Sequence, residues 1–170
     1  MIAALAASLP TFAAAETFRG VVTHVSDGDT VWVRRDGGEH RPVKVRLNGL
    51  DAPERCQAWG EEASAALASR VLGRPVTVQA SATDVYDRRI VTLVVQGEDV
   101  GAWLVAHGHA WSTGFRRHPG RYAAQQQAAR AARLGLFADP RAIEPKEFRK
   151  THGACPMPPR GRPAADPLTK

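Results

Sequence analysis

Cysteine is scarce in this chain. Two in 170 residues, Cys56 and Cys155, exclude a disulfide-dense miniprotein and leave a single possible bridge. Histidine is little richer, and none of His24, His40, His107, His109, His118 and His152 stands at metal-ligand spacing from a cysteine or another histidine. That excludes a zinc-finger reading, and no role is assigned to them. Beyond residue 15 no apolar run is long enough to span a bilayer. No segment repeats, which excludes a solenoid, and no base-reading motif is present. The hydrophobic fraction of 44% argues against disorder, and 170 residues fit one domain with a modest core and terminal extras.

What the chain has in excess is positive charge. Its formal net charge is +6 and its pI about 10.0, and residues 145–170 hold six Lys/Arg against two Asp/Glu. Such a balance suggests a polyanionic partner such as nucleic acid, although a basic tail is also commonly just solvated. At the other end, residues 1–15 are uncharged, rich in Ala and Leu, and end in Ala13-Ala14-Ala15. That is the small-residue pattern of a signal peptide. The basic stretch that usually opens such a signal is missing, so the alternatives are a start upstream of Met1 or an uncleaved anchor; a cleaved signal is the expectation. The protein is then secreted or periplasmic, without stable membrane association. In that oxidising setting a Cys56–Cys155 bridge is expected, closing a loop of about a hundred residues.

One stretch organises the rest. Val43, Val45 and Leu47 alternate with Lys44 and Arg46 as a strand does. The strand stops where Gly49 relieves the backbone and Pro53 removes an N–H and pushes Ala52 into an extended conformation. A guanidinium and two carboxylates, Asp51 and Glu54, therefore crowd the end of a rigid element. A phosphate-handling site needs cation, metal ligand and base within a few ångströms, and a purely structural protein gains little from that crowding.

Upstream, Phe18–Val25 reads as a strand, Ser26–Asp29 as a turn and Thr30–Arg35 as a second strand. Asp36-Gly37-Gly38 is a hairpin signal, and Arg41–Leu50 returns. A hairpin folded about Gly38 sets Asp29 opposite Leu47, which brings Asp29 beside Arg46, with Asp51 beyond the same end. Downstream, Glu61–Leu72 is an amphipathic helix, Val76–Val78 and Ile90–Val95 are strands, and helices are expected around Val100–His107 and over Arg121–Leu134. Beyond Lys150 the Pro, Gly and Arg content predicts little regular structure. The expected division is a domain over 16–144 and a basic tail over 145–170. Five strands with a helix after the third predict an α+β fold, a five-stranded OB-fold Greek-key β-barrel packed with about three α-helices.

Several motifs occur in a telling order: Asp27-Gly28-Asp29-Thr30, Val45-Arg46-Leu47 running into Asp51-Ala52-Pro53-Glu54, Trp59–Ala63, Asp84–Arg88, Leu104–Ala110 and Gly135-Leu136-Phe137. Together they resemble the staphylococcal nuclease (thermonuclease) family across roughly Phe18 to Phe137. The resemblance implies an OB barrel and a calcium-dependent phosphodiesterase that cuts DNA and RNA to leave a 3′-phosphate. By the same resemblance Asp29 and Asp51 are calcium ligands, with the Ala52 carbonyl a third. Arg46 and Arg88 are the phosphate-binding arginines, Arg88 also assisting the departing 5′ oxygen, and Glu54 is the general base. Each residue has a blander reading. Asp29 could be a turn-former capping its own backbone, which explains Asp27 well but not the arrival of Asp51. Glu54 could be a surface acid.

The chemistry suits these residue types. Calcium accepts a sparse protein set because water and phosphate complete its six to eight oxygens, and an arginine fork grips two phosphoryl oxygens without ever losing its charge. Some positions depart from the family pattern. Asp87 stands where a glycine is usual and could engage Arg88; Arg89 is a second-choice rival because its side chain points the other way. The segment Arg55–Trp59 is shorter than the usual flexible loop, and in place of the usual tyrosines Trp111, Phe115 or Tyr86 could stack a base. The expected partners are DNA and RNA as substrates, single strands preferred, bound by a monomer. The alternative is a catalytically silent OB-fold nucleic-acid-binding module, which would need the arginines but not the carboxylates.

Overall fold

Valine decides the architecture. The strands are β1 (Thr17–Asp27), β2 (Thr30–Arg35), β3 (Val43–Leu47), β4 (Leu50–Asp51), β5 (Pro75–Thr83), β6 (Arg89–Val95), β7 (Glu98–Asp99) and β8 (Trp111–Ser112). In the long ones, β-branched residues alternate with polar ones, and the valine side turns inward. Val22, Val31, Val33, Val45, Val78, Val91 and Leu93 are wholly buried, each worth about 1.5–3 kcal/mol of hydrophobic burial. This computed structural model describes residues 16–37, 41–86, 88–114, 118–153 and 155. The expectations placed on the signal segment 1–15, on Gly38, Asp87 and Phe115, and on the tail beyond Cys155 lie outside the described residues.

The strands run in the order β3-β2-β1-β5-β6, and a parallel β3–β6 pairing closes them into the expected five-stranded barrel. The β2–β3 register is the one a hairpin centred on Gly38 demands: Thr30 faces Arg46 and Val31 faces Val45. Just past that ladder, the Leu47 N–H donates to the Asp29 carbonyl at 2.8 Å. The third strand, however, does not run on to Leu50. Gly49 adopts φ 78°, a conformation that costs glycine little, and the chain turns there. Leu50-Asp51 then pairs as β4 with β8 instead.

Among the described residues there are four helices: α1 (Gly60–Val71) and α2 (Val100–Ala106) against the barrel, then α3 (Ala123–Ala131) and α4 (Pro145–His152), with a 3₁₀ turn at Gly135–Ala138. Along α1, Gly60, Ala63, Leu67 and Val71 form the buried stripe. The helix expected over Arg121–Leu134 is shorter at both ends, stopped where Arg133 (φ 52°) and Gly135 (φ 55°) turn left-handed. The fourth helix opens the segment assigned to the basic tail, and only its last two residues lie beyond Lys150, where little regular structure is expected. Proline at its start, Glu147 in its first turn and Arg149, Lys150 and His152 in its last are helix-compatible choices, and Phe148 buries against the body of the protein. Just beyond it Cys155 is bonded to Cys56, with Cα atoms 5.6 Å apart.

Candidate active site

At one end of the barrel the chain reverses between β1 and β2 through Gly28 and Asp29 alone. The Asp27 carboxylate holds this turn by accepting the Asp29 N–H at 3.1 Å, so Asp27 is the turn-former. Gly28 lets the turn press against the chain beyond β4: a Cβ there would lie 2.7 Å from Ala52 Cβ and 3.0 Å from Ala63 Cβ. Asp29 is thereby driven inward to 3% exposure and meets Asp51, at 7%.

Arg46, on β3 opposite Thr30, joins the two. Its Nη1 donates to Asp29 Oδ1 at 2.7 Å and its Nη2 to Asp51 Oδ1 at 2.8 Å. Asp29 Oδ1 also accepts the Thr30 hydroxyl at 2.8 Å, and its Oδ2 accepts the Ala52 N–H at 3.4 Å. Burial pushes the Asp29 carboxyl above the ordinary carboxylate range; Arg46 offsets this only in part, and the charge of Asp27 adds to it. A buried acid short of positive charge beside a second converging carboxylate is a donor set suited to a hard cation. Among the described residues no group of three or more His, Cys, Asp or Glu could hold an ion. An ion at this pair therefore needs backbone, water and substrate oxygens as well, and the Ala52 backbone already lies against Asp29.

Glu54 stands after Pro53 in a compact turn. Its N–H donates to Gln57 Oε1 at 3.1 Å and its carbonyl accepts the Gln57 N–H at 2.8 Å. The turn folds onto the start of α1 so closely that a Cβ on Gly60 would fall 1.9 Å from the Glu54 carbonyl oxygen. Arg88 enters from the loop before β6. Asp84 engages it: Asp84 Oδ2 accepts from Arg88 Nε at 2.8 Å, and Nη2 lies 2.7 Å from the same oxygen. Arg89 instead pairs with Glu16. Lys44, Arg46, Glu54, Tyr86, Arg88 and Arg149 line one cavity of about 550 Å³. Tyr86 is 76% exposed at its rim, whereas Trp111, at 6%, is core, edge-on to Phe137 with ring centroids 5.0 Å apart. That burial removes Trp111 as a platform for a base.

Arg149, on α4, is the member that sequence reasoning misses. Its Nη2 donates to Asp51 Oδ2 at 2.8 Å, while its Nη1 reaches Glu54 Oε1 at 2.7 Å and Asp51 Oδ1 at 3.3 Å. Two signals point to it. The run Pro145–His152 carries helix-start and helix-end chemistry, and a Cys56–Cys155 bridge ties the end of that run two residues from Glu54.

The family model described as "Staphylococcal nuclease homologue" matches residues 44–139. The chain belongs to that family. Its relatives by sequence include Protein ParB of Escherichia coli, 40% identical over 87% of this chain and 88% of that protein. An uncharacterized endonuclease of Haemophilus influenzae is 33% identical over 76% and 71% of the two chains. A micrococcal nuclease of Shigella flexneri is 32% identical over 86% and 87%. Arg46, Asp51, Glu54 and Arg88 fall inside the matched span of the staphylococcal nuclease homologue model, and Asp29 and Arg149 fall outside it. All six residues that the resemblance singles out, Asp29, Arg46, Asp51, Ala52, Glu54 and Arg88, gather at the same end of the barrel.

Proposed function

We propose that this protein is an exported, calcium-dependent nuclease that hydrolyses phosphodiester bonds of DNA and RNA, prefers single strands and leaves 3′-phosphate ends. The observation that carries the reading is the Arg46 fork, which joins Asp29 and Asp51 in hydrogen-bond contact at the cavity shared with Glu54 and Arg88. Asp29, Asp51 and the Ala52 carbonyl would hold the calcium, whose chemistry when bound is to stabilise negative charge on phosphoryl oxygen.

The remaining work falls to side chains. Glu54 orients a water and takes its proton as the water oxygen attacks phosphorus. Arg46 and Arg88 face the oxygens on which charge grows, so they hold the transition state better than the ground state. With Asp84 gripping one edge of the Arg88 fork, this guanidinium is oriented before substrate arrives, and it also steadies the departing 5′ oxygen. The basic excess, with no base-reading motif in the sequence, suits sequence-tolerant binding that weakens steeply with salt. The Cys56–Cys155 bonding supports an oxidising compartment, secreted or periplasmic, and a monomer suffices because the residues come from one chain.

A second reading, a silent nucleic-acid-binding OB module, draws support from Arg149, which engages both Glu54 and Asp51. One experiment separates the two. Purified mature protein is incubated with single-stranded DNA, with calcium or with chelator, and the product ends are analysed. Calcium-dependent fragments bearing 3′-phosphate support the nuclease; intact DNA retarded in both lanes supports the binder.

A further inference from the structure

We propose that Arg149 is the resident counter-cation of the catalytic carboxylates, competing with the divalent ion for Asp51 and, once displaced, serving as a third arginine for substrate phosphate. The inference rests on the nuclease reading above. Both oxygens of Asp51 are engaged by this one guanidinium, and Glu54 Oε1 is engaged by the same Nη1. A calcium ion sits about 2.3–2.6 Å from its oxygens. A guanidinium nitrogen 2.8 Å from Asp51 Oδ2 would then face a dication across one small carboxylate, where like charges repel strongly at partial burial. Arg46 already holds Oδ1, so Asp51 offers a dication no unshared oxygen until Arg149 leaves Oδ2. One oxygen of Glu54, Oε1, is likewise occupied while the pair to Arg149 holds.

Two anchors fix α4 over the site. One is Phe148, 9% exposed and adjacent to Arg149 in the helix. The other is the Cys56–Cys155 bond, which ties the chain after α4 to the turn that carries Glu54. Hydrogen bonds to Asp51, and then to Glu54, hold the Arg149 guanidinium above even its usual high range. Its side chain nonetheless remains 40% exposed, so it can turn without disturbing the core. Released from the carboxylates, it stays on the wall of the cavity that Arg46 and Arg88 also line. There, phosphate is the anion that remains for it, and a two-pronged arginine contact suits a phosphodiester.

Calcium titration by calorimetry on the full mature chain tests this. A protein whose binding-competent form is only fractionally populated shows affinity reduced by that fraction. Removing the competitor in Arg149→Ala should therefore tighten calcium binding, by roughly tenfold to a hundredfold for loss of two or more charge-assisted hydrogen bonds. Arg149→Lys keeps the charge but loses the fork, and should recover only part of the competition. At saturating calcium, Arg149→Ala should raise KM for a single-stranded oligonucleotide more than it lowers kcat. Equal or weaker calcium affinity in Arg149→Ala would overturn the inference and leave a helix-docking ion pair. Wild-type affinity in Arg149→Lys would reduce the effect to bulk charge and overturn the proposed fork. No calcium binding by the wild-type protein would overturn the calcium reading itself, and this inference with it.

Discussion

Gly60→Ala should slow catalysis without touching a charged group. An added Cβ would lie 1.9 Å from the Glu54 carbonyl oxygen and 2.8 Å from its carbon. Both are backbone atoms with no rotamer to escape into, so the turn carrying Glu54 or the first turn of α1 must yield by roughly 1 Å to relieve the overlap. Misplacing a catalytic group by about 1 Å costs on the order of 10²-fold in rate. Overpacking of this kind destabilises by about 1–3 kcal/mol, which lowers Tm by several degrees in a chain of this size. Asp29, Asp51 and Arg46 stand on other elements, so calcium affinity should stay within a few-fold of wild type. Steady-state cleavage of a labelled oligonucleotide, paired with calorimetric calcium titration, gives both numbers. Gly73→Ala is the control: its φ of +71° makes alanine costly there, but nothing lies within 4 Å of the added carbon, so it should lower Tm and spare kcat. A folded Gly60→Ala protein with wild-type kcat would refute the idea that this glycine sets the position of Glu54.

Three further outcomes are expected. Arg88→Lys should lower kcat/KM roughly tenfold to a hundredfold, the worth of a charge-assisted hydrogen bond, because an ammonium cannot keep Asp84 and reach phosphate as a fork does; steady-state kinetics would show it. Reducing Cys56–Cys155, which closes a span of 99 residues, should cost up to about 4–5 kcal/mol in the chain-entropy account, visible as a fall in denaturant midpoint that a Cys56→Ser/Cys155→Ser protein shares. His109 accepts the Trp59 indole N–H at 3.3 Å, and burial, with the nearby His107 second, holds its imidazole below the usual 6.5. The unfolded chain therefore takes up a proton first as pH falls through about 6.5, and this part of the stability, complete above that pH, is lost below it. Thermal melts of His109→Gln should show a flatter acid limb than wild type.

Much of this molecule is legible in its residues because the signals are local and periodic. Alternating valines specify the strands, and the hairpin register that Asp36-Gly37-Gly38 implies is enough to set Asp29 beside Arg46. The features that escape the sequence depend on contacts between distant segments. The pairing of Leu50-Asp51 with Trp111-Ser112 replaces a longer third strand, and two-residue ladders leave almost no periodic trace. Trp111 reads as available for stacking because its burial depends on Phe137 and Arg130, residues with no sequence link to it. The helix Pro145–His152 is masked by the Pro, Gly and Arg content of residues 153–163. Charge counting places Arg149 in a solvated tail, although the expected disulfide already requires that part of the chain to return near Glu54.

The central claim is that Glu54 is the base in a cation-dependent phosphodiester hydrolysis, and kcat of Glu54→Gln measures it most directly. Glutamine keeps the shape and a hydrogen-bonding oxygen but cannot accept the proton. Turnover of single-stranded DNA at saturating calcium should fall by roughly 10²–10⁴-fold, while calcium and oligonucleotide binding persist. A Glu54→Gln protein, free of contaminating nuclease, that turns over near the wild-type rate would make Glu54 a surface acid paired with Arg149 and contradict the mechanism.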